Sequence, residues 1–210
     1  MKKLIPILLA VFAFASCEKD PDMGKLDANY LVYTNYDKQA DFKSFSTFYL
    51  PEDSILVISD SKEPQYLKGE GAEQIIAAYA ANMEAKGYMP ASKEDADLGI
   101  QVSYIASTYF FTNYSQPEWW WGYPGYWNPG YWGNWGGWYY PYAVTYSYST
   151  NSFLTEMVNL KADEGADKKL PIVWTSYLTG FETGSKAINR TLAVEAVNQS
   201  FTQSPYLTNK

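Results

Sequence analysis

The spacing of apolar and polar residues along the chain predicts a run of strands broken by two helices. Tyr30–Tyr36 (YLVYTNY) has the β-branched and aromatic make-up of a strand and is followed by the turn residues of Asp37–Asp41. Phe45–Leu50 reads as a second strand stopped by Pro51. Residues 52–68 form a polar loop holding Ile55–Ile58, a short edge strand. Glu70–Lys86 is helical in pattern: Ile75, Ile76, Tyr79, Ala80 and Met83 share one face, and Gly87 sits where a left-handed C-cap belongs. In Asp97–Ala106, Leu98, Ile100, Val102 and Tyr104 alternate with Gln101 and Ser103, which predicts a half-buried strand running on to Phe110. Val144–Tyr148 alternates again. Phe153–Leu160 and Ile172–Leu178 read as a hairpin around the acidic turn Ala162–Lys169. A closing helix spans 185–202, with Ser185 as N-cap, Ile188, Leu192, Val194, Val197 and Phe201 apolar, and Pro205 beyond its end. The order β-β-α-β-β-β-β-α predicts an α+β fold: a mainly antiparallel sheet with both helices on one face.

One segment fits neither period. Residues 119–142 read WWWGYPGYWNPGYWGNWGGWYYPY, with seven of the eight tryptophans and no charged or aliphatic residue. Tyr-Pro-Gly-Tyr-Trp (123–127) is followed at once by Asn-Pro-Gly-Tyr-Trp (128–132). Pro-Gly at the centre of a turn favours type II, so the repeat predicts a compact non-helical loop, with boundaries at 115–142. Its prolines exclude a spanning helix. Thirteen Trp and Tyr rings of about 150–250 Å² each carry on the order of 2,000–3,000 Å², against apolar patches of about 300–600 Å² on soluble monomers. Three readings follow. The loop is a self-packed extension or a disordered low-complexity insertion. Alternatively, its aromatic faces stack on a glycan or extended peptide, with Asn128, Asn134 and tyrosine hydroxyls as hydrogen-bonding groups. In the third, it lies at a lipid–water boundary. The candidate binding residues are Trp119, Trp120, Trp121, Tyr126, Trp127, Asn128, Tyr131, Trp132, Asn134, Trp135 and Trp138.

Residues 1–16 (MKKLIPILLAVFAFAS) have the layout of a signal peptide: two lysines, an apolar run and small residues. Phe14-Ala15-Ser16-Cys17 resembles the lipobox of bacterial lipoproteins, with Phe14 in place of the usual Leu. The resemblance implies palmitate-type acylation of Cys17, and a plain secretory cleavage site is the alternative. Residues 17–28 then form the acylated cysteine and a polar tether ahead of a single domain over 29–206. Glu18, Asp20 and Asp22 are similar to the acidic export signal of Bacteroidota surface lipoproteins, and equally read as a solvated linker. The expected location is the outer membrane, lipid-anchored, on its periplasmic or cell-surface side.

Charge and residue usage narrow the chemistry. The 210 residues carry a net charge of −7, and loss of Lys2 and Lys3 with the leader takes it to −9. Such a surface repels phosphate backbones, so nucleic acid is not an expected partner. Histidine is absent and Cys17 is the single cysteine, which excludes Ser–His–Asp and Cys–His nucleophile systems, histidine metal sites and internal disulfides. An enzyme would need a carboxylate pair about 5–9.5 Å apart. Tyr36, Asp37 and Asp41 form a polar cluster open to metal or acid–base chemistry, although carboxylates in a turn also cap helices and bind backbone amides. Asp163, Glu164 and Asp167 lack the spacing of a calcium loop. Gly69-Glu-Gly71 lacks the lysine of a phosphate loop. Trp174 is expected in the core.

Three stretches carry a family resemblance. VYTNYDKQADFKSFSTFYLP (32–51), MVNLKADEGADKKLPIVW (157–174) and AVEAVNQSFTQSP (193–205) resemble the opening, the hairpin and the terminal helix of lipoproteins with a domain of unknown function 4136. Asn159 stands where that family tends to have Asp, and Thr175-Ser176 where Arg-Gly is commoner, so no family site carries over. The resemblance implies an α+β envelope lipoprotein and brings no activity, substrate, metal or cofactor. The reading is therefore a non-enzymatic envelope lipoprotein, its partners the membrane through the lipid anchor and a glycan, peptide or envelope protein through the aromatic loop. The alternative is a structural subunit or assembly factor with the loop buried in an oligomer or partner interface.

Overall fold

In the computed structural model, the described residues are 30–52, 54–59, 65–106, 138–142, 151–162 and 169–210. They form nine strands: β1 (Leu31–Tyr36), β2 (Thr47–Tyr49), β3 (Ser54–Ile58), β4 (Gln65–Lys68), β5 (Met89–Pro90), β6 (Leu98–Ile105), β7 (Trp138–Tyr139), β8 (Ser152–Asn159) and β9 (Leu170–Thr179). Two helices accompany them, α1 (Glu70–Ala85) and α2 (Lys186–Thr202). The strand order is β5-β2-β6-β8-β9-β1, with β3 also on β6, β4 on β3, and β7 on β9.

The sheet is mixed, which corrects the expectation of a mainly antiparallel one. Pairs β1/β9, β3/β4, β6/β8 and β8/β9 are antiparallel. Pairs β2/β5, β2/β6, β3/β6 and β7/β9 are parallel. The cause is α1. It lies between β3 and β6 in the chain and supplies the long crossover that parallel neighbours need. Hydrophobic alternation is blind to strand direction, so nothing in the pattern separates the two cases. For the same reason β3 is not an edge strand: it is flanked by β4 and β6.

Helix α1 follows its pattern closely. Ile75, Ile76, Tyr79 and Met83 are buried as expected, with Ala72 beside them. The helix ends in a Schellman turn, in which Gly87 N–H donates to Glu84 O and Tyr88 N–H to Met83 O. Gly87 has φ +100°, so a side chain there would be strained. Both helices face Phe48, Ile100, Val102, Met157, Trp174 and Leu178 across one core, with Ala193, Val197 and Phe201 contributed by α2.

The strand expected to be half-buried is covered on both sides. In β6 only Tyr104 is partly exposed, while Gln101 and Ser103 are buried. Around β6 the second face of the sheet is therefore interior, and residues 138–142 contribute to its covering farther along, at Glu156 and Thr175. Phe110 and the strand expected over 144–148 lie outside the described residues.

Candidate functional site at the base of the aromatic segment

The register of the sheet places a polar row across its second face. Gln101 of β6 is opposite Glu156 of β8, Glu156 is opposite Thr175 of β9, and Thr175 is opposite Asn35 of β1. Neighbours in such a row stand about 4.8 Å apart. Glu156 is 1% exposed and Thr175 0%. A carboxylate so placed is costly unless donors surround it.

Part of that need is met from the end of the aromatic segment. β7 adds in parallel to the start of β9, Trp138 opposite Leu170 and Tyr139 opposite Pro171. Trp138 is wholly buried while Tyr139 is partly exposed, and the alternation continues inward at Tyr140. The Tyr140 hydroxyl donates to Glu156 Oε1. The Tyr142 hydroxyl donates to Thr175 Oγ1 at 3.4 Å, and the two tyrosine rings meet edge to face at 5.8 Å. Nearby, Gln101 Nε2 donates to Ser103 Oγ at 3.1 Å, and Ser152 joins Tyr177 and Thr179 through hydroxyls at 3.0 and 2.8 Å. Residues 138, 140 and 142 thus fasten the last turn of the segment to the sheet, one by burial and two by hydrogen bonds. A phenol–carboxylate pair of this kind positions the chain on the sheet.

The helix-facing side carries separate polar pairs. Thr155 Oγ1 donates to the Tyr79 hydroxyl at 2.6 Å, and Ser176 Oγ lies 3.2 Å from it. Burial pushes the Tyr79 phenol up to about 12, against the opposing hydrogen bonds of Ser176 and Thr155. Trp174 is in the core as expected, its Nε1–H donating to Ser204 Oγ at 3.0 Å. At the start of β6, Asp97 Oδ2 accepts from the Ser46 and Thr47 amides at 2.6 and 3.3 Å, and Oδ1 pairs with Lys161. Burial alone would raise this carboxyl. The Lys161 ammonium and the two amides outweigh it and hold the group below its ordinary value.

Of the residues singled out in the sequence, Trp138 is described and is inside the sheet. Trp119, Trp120, Trp121, Tyr126, Trp127, Asn128, Tyr131, Trp132, Asn134 and Trp135 lie outside the described residues, as do Cys17, Asp163, Glu164 and Asp167. The turn carboxylates bind backbone: Asp37 Oδ1 accepts from Gln39 N–H at 2.9 Å, and Asp41 Oδ1 from Lys43 N–H at 3.2 Å, capping a 3-10 turn at Phe42–Ser44. Tyr36 stacks on Tyr206 at 3.6 Å rather than joining them. Gly69, at φ +87°, only starts α1. Among the described residues no group of three or more acidic or cysteine side chains is placed to hold a metal ion. Glu156 and Asp97 escaped the sequence reading. A glutamate inside the apolar run SFLTEMV was the available sign of a buried carboxylate.

These features define an α+β domain in which two helices and the end of an aromatic segment sandwich a mixed sheet. The family described as Domain of unknown function (DUF4136) matches residues 32–206, and the chain belongs to it. A crystal structure of a DUF4136 family protein from Bacteroides thetaiotaomicron, at 1.60 Å, is 86% identical, with a TM-score of 0.78 over 87% of this chain and 99% of that one. A PelC variant dodecamer from Paraburkholderia phytofirmans covers 86% of this chain and 99% of its own at 10% identity, and its TM-score of 0.36 carries no argument. No curated protein matches the chain.

Proposed function

We propose that this is a non-enzymatic cell-envelope lipoprotein, held at the outer membrane through acylated Cys17, whose aromatic segment over 115–142 binds a glycan, a peptide or another envelope surface. The observation that carries the reading is the clasp of Trp138, Tyr140 and Tyr142 on the row Glu156–Thr175. A segment fastened at its base to a rigid sheet loses less entropy on binding than a free tail, which is what a recognition loop requires. The backbone contacts of Asp37 and Asp41 favour a structural rather than a catalytic use of those carboxylates. Among the described residues no helix is long and apolar enough to cross a membrane, so attachment in this reading rests on the acyl chains.

The test replaces residues 117–137 with a Gly-Ser linker, leaving the clasp intact. Loss of polysaccharide or peptidoglycan pull-down with an unchanged Tm supports the reading; retention of all binding sinks it. For the anchor, labelled palmitate should enter the wild-type chain and not Cys17→Ala.

A second reading, a structural subunit or assembly factor, draws on a different observation. All four residues of β4 are exposed, Tyr66 and Leu67 among them, at the sheet edge farther from β1. An edge of this kind suits packing against another subunit. Mass photometry of the intact domain, with Leu67→Lys as the variant, separates the two.

A further inference from the structure

A thioether is readily oxidised by peroxide, and the fold treats the methionines of this chain unequally. The chain has five, of which Met83, Met89 and Met157 are among the described residues. Met83 on α1 and Met157 on β8 are both 0% exposed and belong to the core between the helices and the sheet. Met89 on β5 is 60% exposed. The local chain builds this difference. After the turn at Gly87, Tyr88 enters the core: its N–H donates to Met83 O at 3.1 Å and its hydroxyl to Phe42 O at 3.0 Å. Successive side chains of an extended strand point to opposite sides, so with Tyr88 inward Met89 turns outward. Met89 N–H donates to Ser46 O and Ala91 N–H to Phe48 O, both at 2.9 Å. β5 is thus held to β2 through its backbone, and those bonds leave the thioether out.

We infer that Met89 is a reversible oxidation site of the folded domain, taking one oxygen atom from hydrogen peroxide. The Met89 sulfur attacks a peroxide oxygen, so that an S–O bond forms as the O–O bond breaks. The displaced hydroxide takes the proton from the new S–OH group, which leaves a sulfoxide and one water. The sulfur loses two electrons and the peroxide gains them, and no other reactant is needed. The product sets a polar, chiral group where a flexible apolar one stood. At Met83 or Met157 that group would lie in the core, away from water, where an unpaired polar atom is costly. At Met89 it lies in solvent, and the backbone pairs of β5 are untouched. The oxidised domain therefore keeps its fold, and its sulfoxide stays open to the reductases that restore methionine.

The test uses the chain from residue 17 onward with Cys17→Ala, which removes the competing thiol. It is treated with hydrogen peroxide, and the gain of one oxygen at each methionine is followed by peptide mass spectrometry. In the native chain Met89 is expected to react at least about tenfold faster than Met83 and Met157, and in concentrated urea the three rates should agree within about twofold. A chain oxidised at Met89 should melt within about 2 °C of the untreated one. Methionine sulfoxide reductases A and B together should return Met89 to its unoxidised mass. Met83 or Met157 reacting as fast as Met89 in the native chain overturns the assignment. So does a spread of rates that persists in urea, since that traces the selectivity to neighbouring sequence and not to the fold. A sulfoxide at Met89 that lowers Tm further than this, or that resists both reductases, overturns its being a reversible site of the folded domain.

Discussion

The Tyr140 hydroxyl donates to the Glu156 carboxylate across the second face of the sheet, tying the end of the aromatic segment to the middle strand of the β6-β8-β9 trio. Glu156 is 1% exposed, so the donor it receives from Tyr140 is not readily replaced by water. Removing one donor from a buried charged acceptor costs about 1.5–3 kcal/mol. Tyr140→Phe is expected to lower Tm by about 5–10 °C on that basis and to speed amide exchange over 138–142. Tyr139→Phe, at a neighbouring exposed position, should stay within about 0.5 kcal/mol. Equal effects from the two variants would remove the special place of the Tyr140–Glu156 pair.

Asp97 makes a prediction with a sign. Its carboxyl lies below the ordinary aspartate value because the Lys161 ammonium and the Ser46 and Thr47 amides outweigh the burial that would raise it. A group depressed in the folded state stabilises above its unfolded value of about 3.9, and that stabilisation drains away as pH falls through the folded value. Asp97→Asn should therefore be less stable than wild type by about 1–3 kcal/mol at pH 7, with the gap closing below about pH 4. Lys161 is 64% exposed in its side chain, so Lys161→Met should cost less than about 1 kcal/mol. Urea denaturation from pH 2 to 7 measures both.

Much of this architecture was readable from spacing, and the exceptions share a cause. The seam of α1, the turn at Gly87, the β8/β9 hairpin and the burial of Trp174 all depend on contacts close in sequence or on strong periodicity. Strands β5 and β7 are two residues each and carry no period at all. The parallel pairing of β3 with β6 is set by the α1 crossover, which alternation along either strand does not encode. Gln101 and Ser103 read as a solvent face because polar residues alternate with apolar ones there. They are buried because the sheet is covered on that side too, and Glu156 is reached by Tyr140 from a segment whose composition gives no period. The site was least legible where two distant polar stretches satisfy one another.

Tyr79 predicts alkaline behaviour. Its phenol, pushed up to about 12 by burial, stays protonated in the folded state while the unfolded chain ionises near 10. A raised folded value means the stabilisation is whole below about pH 10 and is lost up to about pH 12, at about 1.4 kcal/mol per pH unit. At pH 7, Tyr79→Phe should cost about 1–3 kcal/mol, because the Thr155 hydroxyl loses its buried acceptor. The wild-type advantage should then shrink between pH 10 and 12. An advantage that stays constant across that window would mean the phenol is not shielded as the fold implies.

The chain's last residues close the C-terminal end of α1, a role open to direct removal. Leu207 is wholly buried, and Tyr206 stacks on Tyr36 at 3.6 Å. Asn209 N–H and the Thr208 hydroxyl both donate to Lys86 O, at 3.0 and 3.1 Å, and the Lys210 ammonium donates to Ala85 O at 2.6 Å. These carbonyls have no partner within the helix, and a cation there also opposes the negative end of the helix dipole. Leu207→Ala should cost about 2–5 kcal/mol. Lys210→Ala should cost about 0.3–1 kcal/mol and lose that effect in high salt, as a surface charge at a helix end does. Truncation after Ser204 removes the leucine, the stacked tyrosine and the capping donors together, so it should exceed Leu207→Ala in urea denaturation. It should also speed amide exchange at residues 86–88 ahead of the rest of α1. If the truncated chain melts with Leu207→Ala and exchanges no faster there, the tail acts through its one apolar side chain and not as a cap.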